Sequence, residues 1–329
     1  MDALFPGAKD PAKLKFRTLF NNITVGAVTL SGLFRSAVTG TDALTNFDCV
    51  TDIQDFFDSF AVLEVQYFPE DLTLTTGTLA TQLEATTAAS TLSPVANAKD
   101  LVFDYKYRAT TPGSDSKPQV WLTVYRVGAA NRSDVEEIYE SFIMIFPSDL
   151  KSRLVLGGNH YFSFFDYKTD GYLSQGYGDL RFIGQVYKSS TDSNLRLDFR
   201  IDNNANGVGV VPSVATSKQT YQFIQFPEAD IPLGVPLLFE SYIRRPAKIN
   251  VRSTAKEPGA SLERYERDLV GGVWKTCWTN LSTGEFSHLA NFVGGVQMGA
   301  ENLPFGRLFR GMYTPGTPPM QFRTTDWQV

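Results

Sequence analysis

Histidine is nearly missing from this chain of 329 residues, which carries only His160 and His288. A Ser-His-Asp or Cys-His arrangement needs an imidazole beside its nucleophile, so most schemes of nucleophilic catalysis lose their base at once. Cysteine is equally scarce. Cys49 and Cys277 cannot build a disulfide framework, and their long separation and unlike contexts favour two buried thiols over one bridge. The sequence also lacks HExxH, a phosphate-binding glycine loop, a nucleophile elbow and clustered Cys/His with zinc spacing. It has no run of Lys or Arg; Lys13, Lys15 and Arg17 come nearest, and the formal net charge is −5. Such a balance argues against a surface that grips nucleic acid as a whole. No apolar stretch approaches the roughly 18 residues of a membrane span, and MDALFPGAKDPAKLKF lacks the apolar centre of a signal peptide. A soluble intracellular product without a membrane span is the expectation.

What the chain does have is apolar material: 43% hydrophobic and 13% aromatic residues, enough for a sizeable core. Its clearest pattern lies in residues 179–202. Leu195, Leu197, Phe199 and Ile201 alternate with Arg196, Asp198, Arg200 and Asp202, and Leu180, Phe182 and Val186 oppose Arg181, Gln185 and Lys188. Side chains alternate across a strand, so this reads as an antiparallel pair with one wet face and one buried face. Further strands are expected at Ile23–Leu30, Ala61–Phe68, Leu101–Arg108, Gln119–Val127, Phe142–Phe146 and Tyr161–Tyr167. Later ones fall at Tyr221–Phe226, Leu237–Ile243, Ile249–Arg252, Val273–Thr279 and Gln321–Arg323. Gln119–Val127 is apolar on both sides and is expected to lie centrally.

Two short helices are marked by capping boxes. Thr51 with Gln54 precedes Ile53, Phe56, Phe57 and Phe60; Ser133 with Glu136 precedes Val135, Ile138, Tyr139 and Phe142. Short helices set in strand connections exclude a doubly wound fold and predict an all-β sandwich or barrel. Residues 71–99 read as a long surface loop. Residues 204–218 read as a linker, dividing a first domain (1–203, with 1–20 an arm) from a smaller C-terminal β-rich domain (219–329).

The polar candidates for chemistry are few. Glu64, Asp104, Asp166, Asp198 and Asp202 sit on strands, where a glycoside hydrolase would need two of them across a cleft. Most belong to the polar side of an alternation, where a solvated charge is expected. Asp202-Asn203-Asn204-Ala205-Asn206-Gly207 reproduces the first half of a calcium loop, yet its twelfth position is Ser213 instead of a bidentate Glu. An Asn-Gly turn explains the same residues. Asp52, Asp55 and Asp58 could hold calcium at a subunit contact or form the wet face of the first helix. Arg244, Arg245, Lys248 and Arg252 could touch phosphates or serve as ion-pair partners. We therefore expect no enzyme activity, no catalytic residue, no cofactor and no resident metal.

The order of elements resembles the shell domain of small icosahedral virus coat proteins. FFDSFAVLEVQYFPEDL places Phe57, Phe60, Val62, Val65, Tyr67, Phe68 and Pro69 on the helix-then-strand pattern that opens such domains. GYGDLRFIGQVYKSSTDSNLRLDFRIDN resembles their final two strands. Continued β-structure after a polar stretch is similar to the nodavirus and tombusvirus type, with a picorna-like lineage as the other possibility. The resemblance implies a jelly-roll β-sandwich shell domain with short inserted helices and a C-terminal protrusion. It further implies a homo-oligomeric shell in the virion, assembled in the host cell, with a packaged genome and a host receptor as partners. The chain departs from the family in lacking a long basic arm. The alternative is a carbohydrate- or receptor-binding β-sandwich of a phage tail or spike, in which exposed Trp274, Trp278 and Trp327 stack on sugar rings.

Overall fold

The computed structural model describes residues 17–18, 26–27, 62–67, 83–85, 89–95, 98, 100–105, 115–116, 118–123, 137–154, 161–169, 180–189, 191–203, 219–244, 248–249, 266–267, 272–296, 305–311, 314–315 and 320–328. The first strands in chain order are β1 (Arg17–Thr18), β2 (Gly26–Ala27), β3 (Val62–Tyr67), β4 (Leu83–Ala85), β5 (Leu101–Tyr105), β6 (Asp115–Ser116) and β7 (Pro118–Thr123). The middle of the chain gives β8 (Glu137–Ile145), β9 (Tyr161–Thr169), β10 (Leu180–Lys188), β11 (Leu195–Asn203), β12 (Gln219–Pro227) and β13 (Pro236–Arg244). The last are β14 (Lys248–Ile249), β15 (Glu266–Arg267), β16 (Gly272–Asn280), β17 (Phe286–Val296), β18 (Phe305–Gly311), β19 (Thr314–Pro315) and β20 (Met320–Gln328).

Two antiparallel sheets contain nearly all of them. A nine-stranded sheet runs β17-β16-β13-β8-β20-β5-β4-β2, with β1 also on β20. A seven-stranded sheet runs β12-β11-β10-β9-β18-β7-β3. The expected all-β sandwich is therefore present. β7 lies between β18 and β3, an interior position that suits its two apolar faces.

Aromatic side chains join the sheets. Phe239 of β13 lies 5.0 Å, ring centre to ring centre, from Phe142 of β8 within its own sheet. It also lies 5.6 Å from Phe164 of β9 and 6.3 Å from Phe199 of β11 in the facing sheet. Trp274 of β16 meets Phe182 of β10 edge-on at 5.1 Å. Burying one such side chain contributes about 2 kcal/mol, and the edge-on pairings add to it. Gly184 of β10 is what allows this closeness. A Cβ there would stand 2.9 Å from Phe164 Cζ and 3.0 Å from Phe199 Cε1.

The hairpin of 179–202 forms as its alternation predicts, in register from Leu180 opposite Asn203 to Lys188 opposite Leu195. Ser193, at φ 60°, helps to close its turn, where Ser189 N–H donates to the Asn194 carbonyl at 2.9 Å. Its second face is not wet, however. Asp198 and Gln185 are buried there, as are Ser163 and Asp166 of β9. Gln185 Nε2 donates to Asp198 Oδ2 at 3.2 Å, and Arg200 donates to Gln185 Oε1 at 3.3 Å. Charge alternation marked the face correctly but not its cover.

Three other expectations change. Residues 137–141 are strand where a helix was expected from Ser133 and Glu136, and they run straight into the strand expected from Phe142, which ends at Ile145. β8 is flanked by β13 and β20 and buried on both faces, so apolar residues fall on both sides and mimic a helical stripe. The 71–99 loop contains β4, paired with β5, and Leu92 in it is buried. Finally, the strands after residue 218 do not stand apart. β13 pairs with β8, β18 lies between β9 and β7, and β20 lies between β8 and β5. A boundary at 204–218 divides neither sheet, and the β10–β11 hairpin is an interior pair, not a closing one. The Thr51–Phe60 helix lies outside the described residues.

Candidate functional site

The outer face of the nine-stranded sheet carries a polar row that crosses five strands. Gln328 of β20 is opposite Ser141 of β8, which is opposite Glu240 of β13. Glu240 is opposite Cys277 of β16, and Cys277 is opposite His288 of β17. Directly opposed residues share a face and bring their side chains within reach. Tyr139 O–H, one row along on β8, donates to Glu240 Oε1 at 2.5 Å, and the Cys277 thiol donates to Glu240 Oε2 at 3.6 Å.

Glu240 and Cys277 are both fully buried. A buried carboxylate is tolerable only when donors converge on it, and here two do. Burial first, and then the neighbouring Glu240 charge, push the Tyr139 hydroxyl far above the ordinary tyrosine range. On the same face Tyr242 O–H donates to Glu137 Oε2 at 2.7 Å, and burial and that bond push its pKa up to about 12. The opposite face repeats the logic: Trp327 Nε1–H donates to buried Glu140 at 2.7 Å, and Trp274 Nε1–H to Ser241 at 3.2 Å.

This row brings one cysteine and one histidine onto adjacent strands, the pairing the sequence had left without support. It does not make a nucleophile. The thiol hydrogen is aimed at a carboxylate, which disfavours thiolate, and the sulfur has no exposed surface for a substrate to reach. The arrangement holds a buried charge in place and joins β8, β13 and β16.

A cleft of about 350 Å³ opens where the two sheets end on the same side, beside β12 and β17. Phe226, Ala229, Asp230 and Pro232 line it from the end of β12 and the turn that follows. Trp278, Asn280, Glu285, Ser287, His288 and Leu289 line it from β16, β17 and their connection. That connection is rigid: Asn280 N–H donates to the Glu285 carbonyl at 2.8 Å, and Gly284, at φ 75°, donates to the Asn280 carbonyl at 2.7 Å. The turn before Asp230 is fixed too. Lys151 pairs with Glu228 at 2.8 Å, and the same carboxylate accepts the Leu195 N–H at 2.8 Å.

Among the described residues, those singled out from sequence mostly serve the frame. Asp166 and Asp198 are buried on the outer face of the seven-stranded sheet. Trp274, Trp278 and Trp327 have 0%, 2% and 0% of their surface exposed, so the exposed stacking platform expected of them is absent. They are aromatic because the core and its buried acceptors need them. Arg244 is exposed at the end of β13, and Lys248 lies in β14. Glu64, Asp104 and Asp202 fall in β3, β5 and β11, and their side chains lie outside the described residues. So do Cys49, Asp52, Asp55, Asp58, His160, Asn204 to Gly207, Ser213, Arg245 and Arg252. Among the described residues, no group of three or more His, Cys, Asp or Glu is placed to hold a metal ion, and no helix is long and apolar enough to cross a membrane.

Sequence reasoning missed Tyr139, Glu240 and the cleft. Reading β8 as helix hid the first, and the others depend on strand registers between distant residues. No protein-family model matches the chain, and no curated protein matches it.

Proposed function

We propose that this chain is a structural coat protein: a jelly-roll unit that self-associates into a closed icosahedral shell around a genome. The observation that carries the reading is the nesting of its strand pairs. β5 pairs with β20, β7 with β18, β8 with β13 and β9 with β10, each pair enclosed in sequence by the one before. Successive pairs alternate between the nine-stranded and seven-stranded sheets, and β20–β8 and β18–β9 contacts join them. One long antiparallel hairpin rolled over itself has this order, and such rolls build viral capsids as well as lectin and cupin domains.

Among these uses the shell reading is favoured by the likeness of 57–69 to the segment that opens coat-protein shell domains. In addition, the buried Glu140, Asp198 and Glu240 each accept a hydrogen bond within the fold. β11 with β12 and β16 with β17 widen the roll at one edge. The physics of the function is the summation of moderate interfaces over many copies in a closed symmetric assembly. Electron microscopy and sedimentation of the purified chain across salt, pH and calcium test it. Closed particles or their ring-like intermediates are expected. A strictly monomeric chain under every condition overturns the proposal.

A further inference from the structure

We propose that the cleft between β12 and the β16–β17 hairpin binds an organic cation, an alkylammonium or alkylguanidinium group. Three independent features of the site point to that chemistry. The first is unbalanced charge. Of the carboxylates at this end of the sandwich, Glu228 is neutralised by Lys151, whereas Asp230 and Glu285 make no ion pair among the described residues. Both are exposed and both line the cleft.

The second is the wall. Half-buried Phe226 lines the same space, with only the 2% exposed edge of Trp278 behind it, and a cation between the Phe226 ring and a carboxylate gains from both. The third is size and stiffness. About 350 Å³ is at the small end of ligand sites, suited to a side-chain-sized group rather than an oligosaccharide. The loops presenting Asp230 and Glu285 are held by backbone hydrogen bonds, Ile231 N–H to Glu228 at 3.0 Å and Asn280 N–H to Glu285 at 2.8 Å. Little ordering remains to oppose binding. An anion would meet two carboxylates, with exposed His288 the one basic side chain in the lining and no lysine or arginine there.

The cation has two possible sources of the same chemistry, a free polyamine or a basic side chain of a second copy. The second source rests on the assembly reading, while the site itself does not. Agmatine is titrated calorimetrically at low salt into the full chain, with the Trp278 indole resonance followed by NMR and galactose as neutral control. Saturable agmatine binding that shifts Trp278 is expected, weakened about ten-fold or more in Asp230→Asn/Glu285→Gln and by raised salt. Both positions are exposed, and an unchanged urea midpoint shows that the double variant is folded.

Absence of saturable binding below about 10 mM overturns the proposal. So does equal binding by the double variant, or galactose moving the same resonance in both proteins. Sedimentation separates the sources. Association that agmatine competes away identifies a second copy as the donor. A chain that binds agmatine yet is monomeric across salt, pH and calcium, with and without the amine, identifies a free amine and leaves this site standing while the shell reading falls.

Discussion

The Cys277 sulfur lies 3.6 Å from Glu240 Oε2, across the β13–β16 pair, and neither side chain has exposed surface. A thiol so placed is a donor rather than a nucleophile. In a Cys49→Ser background, Cys277 is expected to resist Ellman's reagent in the folded chain and to react fully in urea. Cys277→Val keeps the volume and removes the donor, and we expect it to lower stability by about 1–2 kcal/mol. Rapid labelling of the native protein would contradict this assignment.

Tyr139 O–H also donates to Glu240. Tyr139→Phe leaves a buried carboxylate short of a donor and should cost about 1.5–3 kcal/mol, read from urea unfolding. Adding Glu240→Gln should recover part of the loss, because the amide no longer has to bury a charge. Simple additivity of the two variants would show that the pair is not coupled.

Tyr242 gives a pH signature. Burial and the Glu137 bond raise its folded-state pKa to about 12, above its unfolded value. Its contribution is therefore complete below about pH 10 and is lost as pH rises through 12. Urea midpoints measured between those limits should fall more steeply for the parent than for Tyr242→Phe.

Gly184→Ala tests the aromatic packing. The added methyl would meet Phe164 and Phe199 ring carbons at 2.9 Å and 3.0 Å, both inside the core. Overpacking of this kind costs about 1–3 kcal/mol. Thermal unfolding should show the loss, and Phe164→Leu introduced together with it should return part.

Glu228 behaves in the opposite sense to the tyrosines. The hydrogen bond from Lys151, then that from Leu195 N–H, hold its pKa below the usual carboxylate value. Its contribution is present above the unfolded value of about 4.3 and is lost as pH falls through the lower folded value. Glu228→Gln should be less stable than the parent by about 0.5 kcal/mol near neutrality, since the pair is partly exposed. The two proteins should converge in acid, and a gap that widens there would refute the sign.

Alternation made the β10–β11 hairpin readable, because Leu195, Leu197, Phe199 and Ile201 needed one buried side and the short polar turn set the register. β8 was unreadable for the opposite reason. A strand covered on both faces loses its period of two, and Ile138, Tyr139 and Phe142 then fit a helical spacing. Trp274, Trp278 and Trp327 looked like binding residues because an indole suits a sugar face and a packed core equally well. Their burial depends on what faces them, which a single strand's pattern does not hold. The Glu240–Cys277–His288 row was hidden further, since it is written only in the pairing of β13, β16 and β17.

The position of β20 bears on how the molecule comes into being. This strand fills the space between β8 and β5, so the larger sheet has a gap at its middle until residues 320–328 have left the ribosome. Contacts between Met320–Thr324 and Leu101–Tyr105 close a very long loop, the kind of pairing that forms slowly. During synthesis, β5 and β8 are left with open edges that invite each other or a neighbouring nascent chain. Completion of the larger sheet thus waits on β20, and until it arrives the two halves of that sheet share no strand.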